Sequence, residues 1–146
     1  RRAPPATSPI GSRYTFYDPL SRTSRPFPSL FGGAQKHLSV VIPAYNEQLR
    51  LPIMLDEALA FLTQTPAYAP SFEIIVVDDG SADETSAVVL SYAEHHSADK
   101  VRLLRLPANA GKGAAVRAGA LAARGELVLM ADADGATRFA DLARLA

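Results

Sequence analysis

The feature that most constrains this chain is the run Phe72-Glu73-Ile74-Ile75-Val76-Val77, in which no polar residue interrupts the apolar ones after Glu73. A strand with one wet face alternates; an unbroken β-branched run predicts a parallel strand buried on both faces, with helices covering each side. The surrounding sequence fits that demand. Residues 38–42, 101–106 and 127–131 read as further short strands, and Leu51, Leu55, Leu59 and Leu62 recur at helical spacing between the first two strands. A second helix is predicted to start with Ser81 as its cap, because Glu84 three residues on completes a capping box, and to end near His95 or His96. A third is expected over 113–123 and a fourth from about Thr137. Strands alternating with helices of this length imply right-handed crossovers and a mostly parallel sheet, so the predicted architecture is a three-layer, Rossmann-like α/β domain. Four strands leave an unprotected edge, which predicts a truncated domain with more chain after Ala146.

The pattern begins at Leu38. Residues 1–37 hold Pro4, Pro5, Pro9, Pro19, Pro26 and Pro28 among polar residues and read as an extended linker, although Tyr14, Phe16, Tyr17, Phe27 and Phe31 predict that some aromatic side chains pack on the domain. This segment carries six Lys or Arg against one Asp, whereas residues 38–146 carry nine against fourteen Asp or Glu, so a net charge of zero is the sum of +5 and −5. An acidic domain is a poor partner for nucleic acid. The basic segment is instead expected to sit beside an anionic membrane surface, weakly and in a salt-sensitive way. With no cysteine there is neither a disulfide framework nor a thiolate metal site. No stretch reaches the roughly 18 to 20 apolar residues of a membrane span, so the chain as given reads as soluble.

The polar residues gather at the strand ends. Pro43-Ala44-Tyr45-Asn46-Glu47 follows the first strand, Asp78-Asp79-Gly80-Ser81 the second, Asn109-Ala110-Gly111-Lys112-Gly113 the third and Asp132-Ala133-Asp134 the fourth. In an open α/β sheet the carboxyl edge is the binding crevice, so these clusters are predicted to converge there. Asp132 and Asp134 project the same way from an extended segment, roughly 6 to 7 Å apart between Cα atoms, and two like charges so placed need a cation. Their hard oxygen ligands suit Mg²⁺ or Mn²⁺, which bridge to substrate phosphates. A chance Asp-x-Asp is expected in about one chain in three of this length; its position directly after an apolar strand, on the shared edge, is what makes it informative.

Asp78 and Asp79 are read as strand-end and turn residues or as acceptors for a nucleobase N–H, and Glu47 as a partner for ribose hydroxyls. Lys112, between two glycines at the start of a helix, is either a surface lysine or an anion ligand. No Walker loop is present, and Val116 stands where a dinucleotide fingerprint needs its third glycine, which disfavours ATPase and dehydrogenase functions. His37, His95 and His96 lie away from the strand-end edge and are not expected to be ligands.

The order Ser39-Val40-Val41-Ile42-Pro43-Ala44-Tyr45-Asn46-Glu47, then Val76-Val77-Asp78-Asp79-Gly80-Ser81, then Asp132-Ala133-Asp134 resembles the large inverting glycosyltransferase family with the GT-A fold. Residues 109–119 and 130–137 look most like its branch that transfers glucose to dolichyl phosphate, ahead of the mannosyl branch. The resemblance implies a UDP-glucose donor, a dolichyl phosphate acceptor, a role in N-glycan assembly, and an endoplasmic reticulum membrane protein with its catalytic domain facing the cytosol. It implies that Pro43, Tyr45 and Glu47 flank the nucleoside, Asp78 or Asp79 the base, and Asp132 and Asp134 the metal and diphosphate. The acceptor region and any general base would lie beyond Ala146, and the membrane anchor before Arg1. A catalytically silent nucleotide-binding domain is the alternative from another class.

Overall fold

The computed structural model describes residues 11–28 and 35–132. Four strands, β3 (Lys36–Ala44), β4 (Phe72–Asp78), β5 (Val101–Arg105) and β6 (Gly125–Met130), form one sheet in the order β5-β4-β3-β6. All three pairings are parallel, with Ser39 opposite Glu73, Ala44 opposite Asp78 and Val41 opposite Met130. All seven residues of β4 are buried, as its unbroken apolar run requires. The chain moves outward from β3 to β4 to β5 and then returns to β6 on the other side of β3. That reversal opens a crevice between the carboxyl ends of β3 and β6.

Side-chain alternation along the strands splits the core in two. On one face, Val40, Ile42, Ile74 and Val76 pack with Leu51, Leu55, Leu59 and Leu62 of α1 (Leu51–Gln64) and with Val89 of α2 (Thr85–His96). On the other, Val41, Ile75, Val77 and Leu104 meet Ala115, Ala118 and Ala122 of α3 (Lys112–Ala122). The small residues of α3 let it lie close to the sheet. A Cβ added at Gly119 would stand 2.9 Å from Val77 Cγ2 and closer still to Val41 Cγ1. Both neighbours are stiff, β-branched side chains. Overpacking of about 1–3 kcal/mol therefore outweighs the roughly 0.8–1 kcal/mol that alanine gains over glycine in a helix. Gly119→Ala is expected to lower the urea midpoint of unfolding; a raised midpoint would contradict this packing.

The segment read as a linker is partly folded. Gly11–Asp18 (β1) and Thr23–Pro28 (β2) pair antiparallel, and Phe16 and Phe27 are buried on the α3 face of the sheet beside β5. Prolines did not prevent this, because a two-stranded ribbon has only edge strands, where a missing N–H is tolerated. Tyr14 packs against the same cluster, Tyr17 is exposed, and Phe31 lies outside the described residues. A helix would normally cover this side of β5; here the hairpin does.

Beneath the hairpin, at the amino ends of the strands, lies a buried polar staple. The Glu73 carboxylate, 0% exposed, accepts hydrogen bonds from Ser39 Oγ (2.6 Å), the Arg124 amide (2.6 Å) and Arg124 Nε (2.9 Å), and is ion-paired with Arg102. The Arg102 guanidinium, 2% exposed, lies 5.0 Å from the Phe16 ring centre and 4.8 Å from that of Phe27. Burial pushes Glu73 up, but the Arg102 charge, the Ser39 hydroxyl and Arg124 outweigh it and hold the carboxyl below its ordinary value. Burial pushes Arg102 down to about 10, which leaves it charged at neutral pH.

Two expectations need correction or restriction. Ser81 does not cap α2, which begins only at Thr85; its amide is turned back onto Asp78 Oδ1 (2.8 Å), and Glu84 makes no side-chain capping bond. β6 is an edge strand: it pairs only with β3 among the described residues, and Leu127 is 59% exposed. The helix expected from Thr137 lies outside the described residues. No helix among the described residues is long and apolar enough to cross a membrane.

Candidate functional site

The loops that follow β3, β4 and β5 meet over the carboxyl edge of the sheet and enclose a cleft of about 380 Å³. Pro43, Ala44, Tyr45, Glu47 and Arg50 line it from the β3 side and Asp79 from the end of β4. Asn109, Gly111, Lys112 and Ala115 contribute from the β5–α3 connection, and Asp132 from the end of β6. Residues as far apart in sequence as Pro43 and Asp132 thus line one cleft, as the topology demands.

Asp79 joins two of these loops. Its Oδ1 accepts the Ala110 amide at 2.7 Å and its Oδ2 the Gly111 amide at 2.9 Å, while Asn109 Nδ2 donates to its carbonyl at 3.2 Å. A carboxylate offers about four lone-pair sites, so acceptor capacity toward the cleft remains after those two amides. Gly80 permits the junction. It sits at φ +77°, and a Cβ there would come within 2.5 Å of the Asn109 backbone nitrogen, so only glycine allows the two loops to stack. Gly111, at φ +98°, turns the chain into α3 and directs the helix's first amides toward the cleft.

Asp78, one residue earlier, is elsewhere. Its carboxylate is fully buried, accepts the Ser81 amide at 2.8 Å, bonds Ser86 Oγ and pairs with Arg105 Nη1 at 3.0 Å. One oxygen serves the β4–α2 turn and the other joins α2 to β5, and Asp78 does not line the cleft. Of the two aspartates, Asp79 is the one on the cleft wall.

Also lining the cleft, Lys112 Nζ lies 2.5 Å from Asp132 Oδ1. Both groups are accessible, with side chains 64% and 35% exposed, so a ligand can reach either. Asp134 lies outside the described residues, and no group of three or more potential metal-ligating side chains gathers among the described ones. The histidines are remote from the cleft: His37 is exposed at the start of β3, and His95 and His96 close α2, where His96 stacks on Tyr92.

The sequence profile described as Glycosyl transferase family 2 matches residues 39–146. The chain belongs to that family. Among curated relatives of this family 2 chain is "Dolichyl-phosphate beta-glucosyltransferase" of Drosophila melanogaster, 55% identical over 133 residues. That match covers 90% of this chain but 41% of the relative, so the chain spans about two fifths of its relative's length. Two solved structures share the fold. The mannosyltransferase PcManGT of Pyrobaculum calidifontis, in complex with GDP-Man and Mn²⁺, is 27% identical with a TM-score of 0.59 over 73% of this chain and 31% of its own. TarS 1-349 of S. aureus, in complex with UDP-GlcNAc, is 31% identical with a TM-score of 0.51 over 67% of this chain and 26% of its own. The α/β fold with a parallel four-strand sheet is thus the GT-A nucleotide-binding arrangement.

Sequence reasoning on this family 2 chain missed Arg50 and Asn109 as cleft residues. Arg50 had a usable signal, since it falls three residues after Glu47 at the start of α1, and its Nη1 is 3.9 Å from Glu47 Oε1. Asn109 opened a cluster already recognised, but nothing in its spacing distinguishes a lining residue from a turn residue.

Proposed function

We propose that this chain is the nucleotide-sugar-binding half of an inverting glycosyltransferase that moves glucose from UDP-glucose to dolichyl phosphate, producing dolichyl β-glucosyl phosphate for N-glycan assembly. One observation carries the reading: a single cleft brings together Pro43, Tyr45, Glu47, Asp79, Lys112 and Asp132. An aromatic and two acidic groups suit a nucleoside, and a lysine at a helix start suits its diphosphate. The identity of 55% to a relative named for glucosyl transfer to dolichyl phosphate supports the choice of sugar and acceptor. The proposal includes an endoplasmic reticulum membrane location facing the cytosol, where the +5 charge of residues 1–37 would face anionic lipid.

Asp79 is assigned to the base N–H, Glu47 to ribose hydroxyls, and Pro43 and Tyr45 to the walls of the nucleoside pocket. Lys112 and the first amides of α3 are assigned to the diphosphate. The residues fit a divalent cation, Mg²⁺ or Mn²⁺: Asp132 presents hard oxygen donors to the cleft, and the Lys112 ammonium at 2.5 Å marks the position as one that attracts positive charge. Asp132, together with Asp134, would hold the metal, which as a Lewis acid stabilises charge on the departing diphosphate. The chain's own contribution is to orient the donor so that its anomeric carbon faces the acceptor side, and an acceptor phosphate ionised at neutral pH needs positioning more than deprotonation.

Calorimetry on the full-length protein tests this. UDP is expected to bind roughly tenfold or more tighter with Mn²⁺ than with chelator, and Asp132→Ala to abolish the difference. An equal UDP affinity in all three conditions would remove the metal assignment, and transfer from GDP-mannose in preference to UDP-glucose would remove the sugar.

A further inference from the structure

We infer that Asp83, which stands outside the cleft wall, is a positioning residue that sets the nucleoside side of the site. The loop after β3 carries Tyr45 and Glu47 into the cleft, yet its backbone is held from behind by side chains of residues 81–85. The Asn46 amide donates to Ser81 Oγ (2.8 Å), the Glu47 amide to Thr85 Oγ1 (2.9 Å) and the Gln48 amide to Asp83 Oδ2 (3.3 Å). Bonds run the other way too: the Ala82 amide donates to Asn46 Oδ1 and the Glu84 amide to Gln48 Oε1, both at 2.9 Å. What the sequence suggested as a helix cap is half of a clasp between two loops.

Asp83 is its organiser because its carboxylate acts at two points. Oδ2 takes the Gln48 amide directly, while Oδ1 accepts both the Thr85 amide (3.0 Å) and the Thr85 hydroxyl (2.5 Å). Committing the Thr85 hydrogen to Asp83 leaves a hydroxyl lone pair as the acceptor for the Glu47 amide. The clasp also holds Asn46 at φ +51°, a left-handed conformation that a residue with a Cβ keeps only when its surroundings fix it. A loop fixed before the ligand arrives loses less freedom on binding, so the clasp acts on affinity without touching the ligand. Asp83 can be changed with limited harm to the fold, since it is half-exposed and precedes α2, whereas Thr85 is buried at the helix start.

This inference rests on the proposed nucleotide-binding role of the cleft. It is tested on the full-length protein with Mn²⁺ by calorimetry with UDP, UMP and inorganic diphosphate, alongside thermal unfolding of the ligand-free protein. Asp83→Ala is expected to weaken UDP and UMP by the same factor, about tenfold, and to leave diphosphate binding unchanged. Asp83→Asn, whose side-chain carbonyl can still accept from Thr85, is expected to recover most of that loss. Undiminished UDP affinity in Asp83→Ala overturns the inference, as does an equal loss for diphosphate, which would mark general loosening. A wild-type protein that binds no UDP overturns the proposed function and this inference together; wild-type binding with an unaffected variant overturns this inference alone.

Discussion

Replacing Glu73 with alanine is expected to lower the free energy of unfolding by about 3–5 kcal/mol, because it strands the Arg102 guanidinium in the interior without its counter-charge. The other carboxylate that acts on Arg102, Asp99, is exposed and already paired with Lys36 and Arg124, and Phe16 and Phe27 interact with the cation but cannot neutralise it. The Ser39 hydroxyl and the Arg124 amide lose their acceptor at the same time. The same group shapes the acid limb of stability. Its carboxyl is held below the ordinary value of 4.5, so the unfolded chain binds the proton more readily. Its contribution is complete above pH 4.5 and is lost as the pH falls from there through the lower folded-state value. Urea unfolding as a function of pH checks both statements: Glu73→Gln should flatten the acid limb, and an unchanged slope would show that Glu73 is not the titrating group.

Phe27→Ala should also cost about 3–5 kcal/mol, the range for removing a large buried aromatic side chain. The loss is expected to be local in origin. Phe27 is 1% exposed, its ring centre is 5.0 Å from that of Phe16, and it closes the lid over Arg102, so truncation admits water to the staple. Amide exchange should then accelerate first in β1, β2 and β5 and last in β3, the central strand. Because Phe27 and Glu73 share Arg102, the double variant should lose less than the sum of the single losses. Uniform acceleration of exchange across the sheet would instead mean that the hairpin and the sheet unfold as one unit.

The parallel sheet was legible because its strands are apolar on both faces, and the cleft because polar residues follow each strand at the edge where such folds bind ligands. What escaped was set by contacts between residues distant in sequence. Pro26 and Pro28 argued against structure in the first segment, and only packing against β5 makes a short ribbon worthwhile there. Glu73 and Arg102 lie 29 residues apart with no spacing rule to join them. Ser81 and Glu84 satisfied a local capping pattern, but Asn46, 35 residues before Ser81, competed for the serine oxygen and won. Asp78 and Asp79 are adjacent and chemically identical; strand alternation decides which turns inward to Arg105 and which faces the cleft.

The staple and the cleft occupy opposite ends of β4. Six residues separate Glu73 from Asp79, about 20 Å along an extended chain, well beyond the roughly 7–10 Å within which substitutions usually influence one another. Durability and ligand preference are therefore separately adjustable traits in this domain. Loops at the carboxyl edge can drift toward another ligand while the amino-edge charges keep the scaffold folded, and a redesign of residues 45–48 or 109–112 can be judged by affinity alone, without a compensating change in the staple.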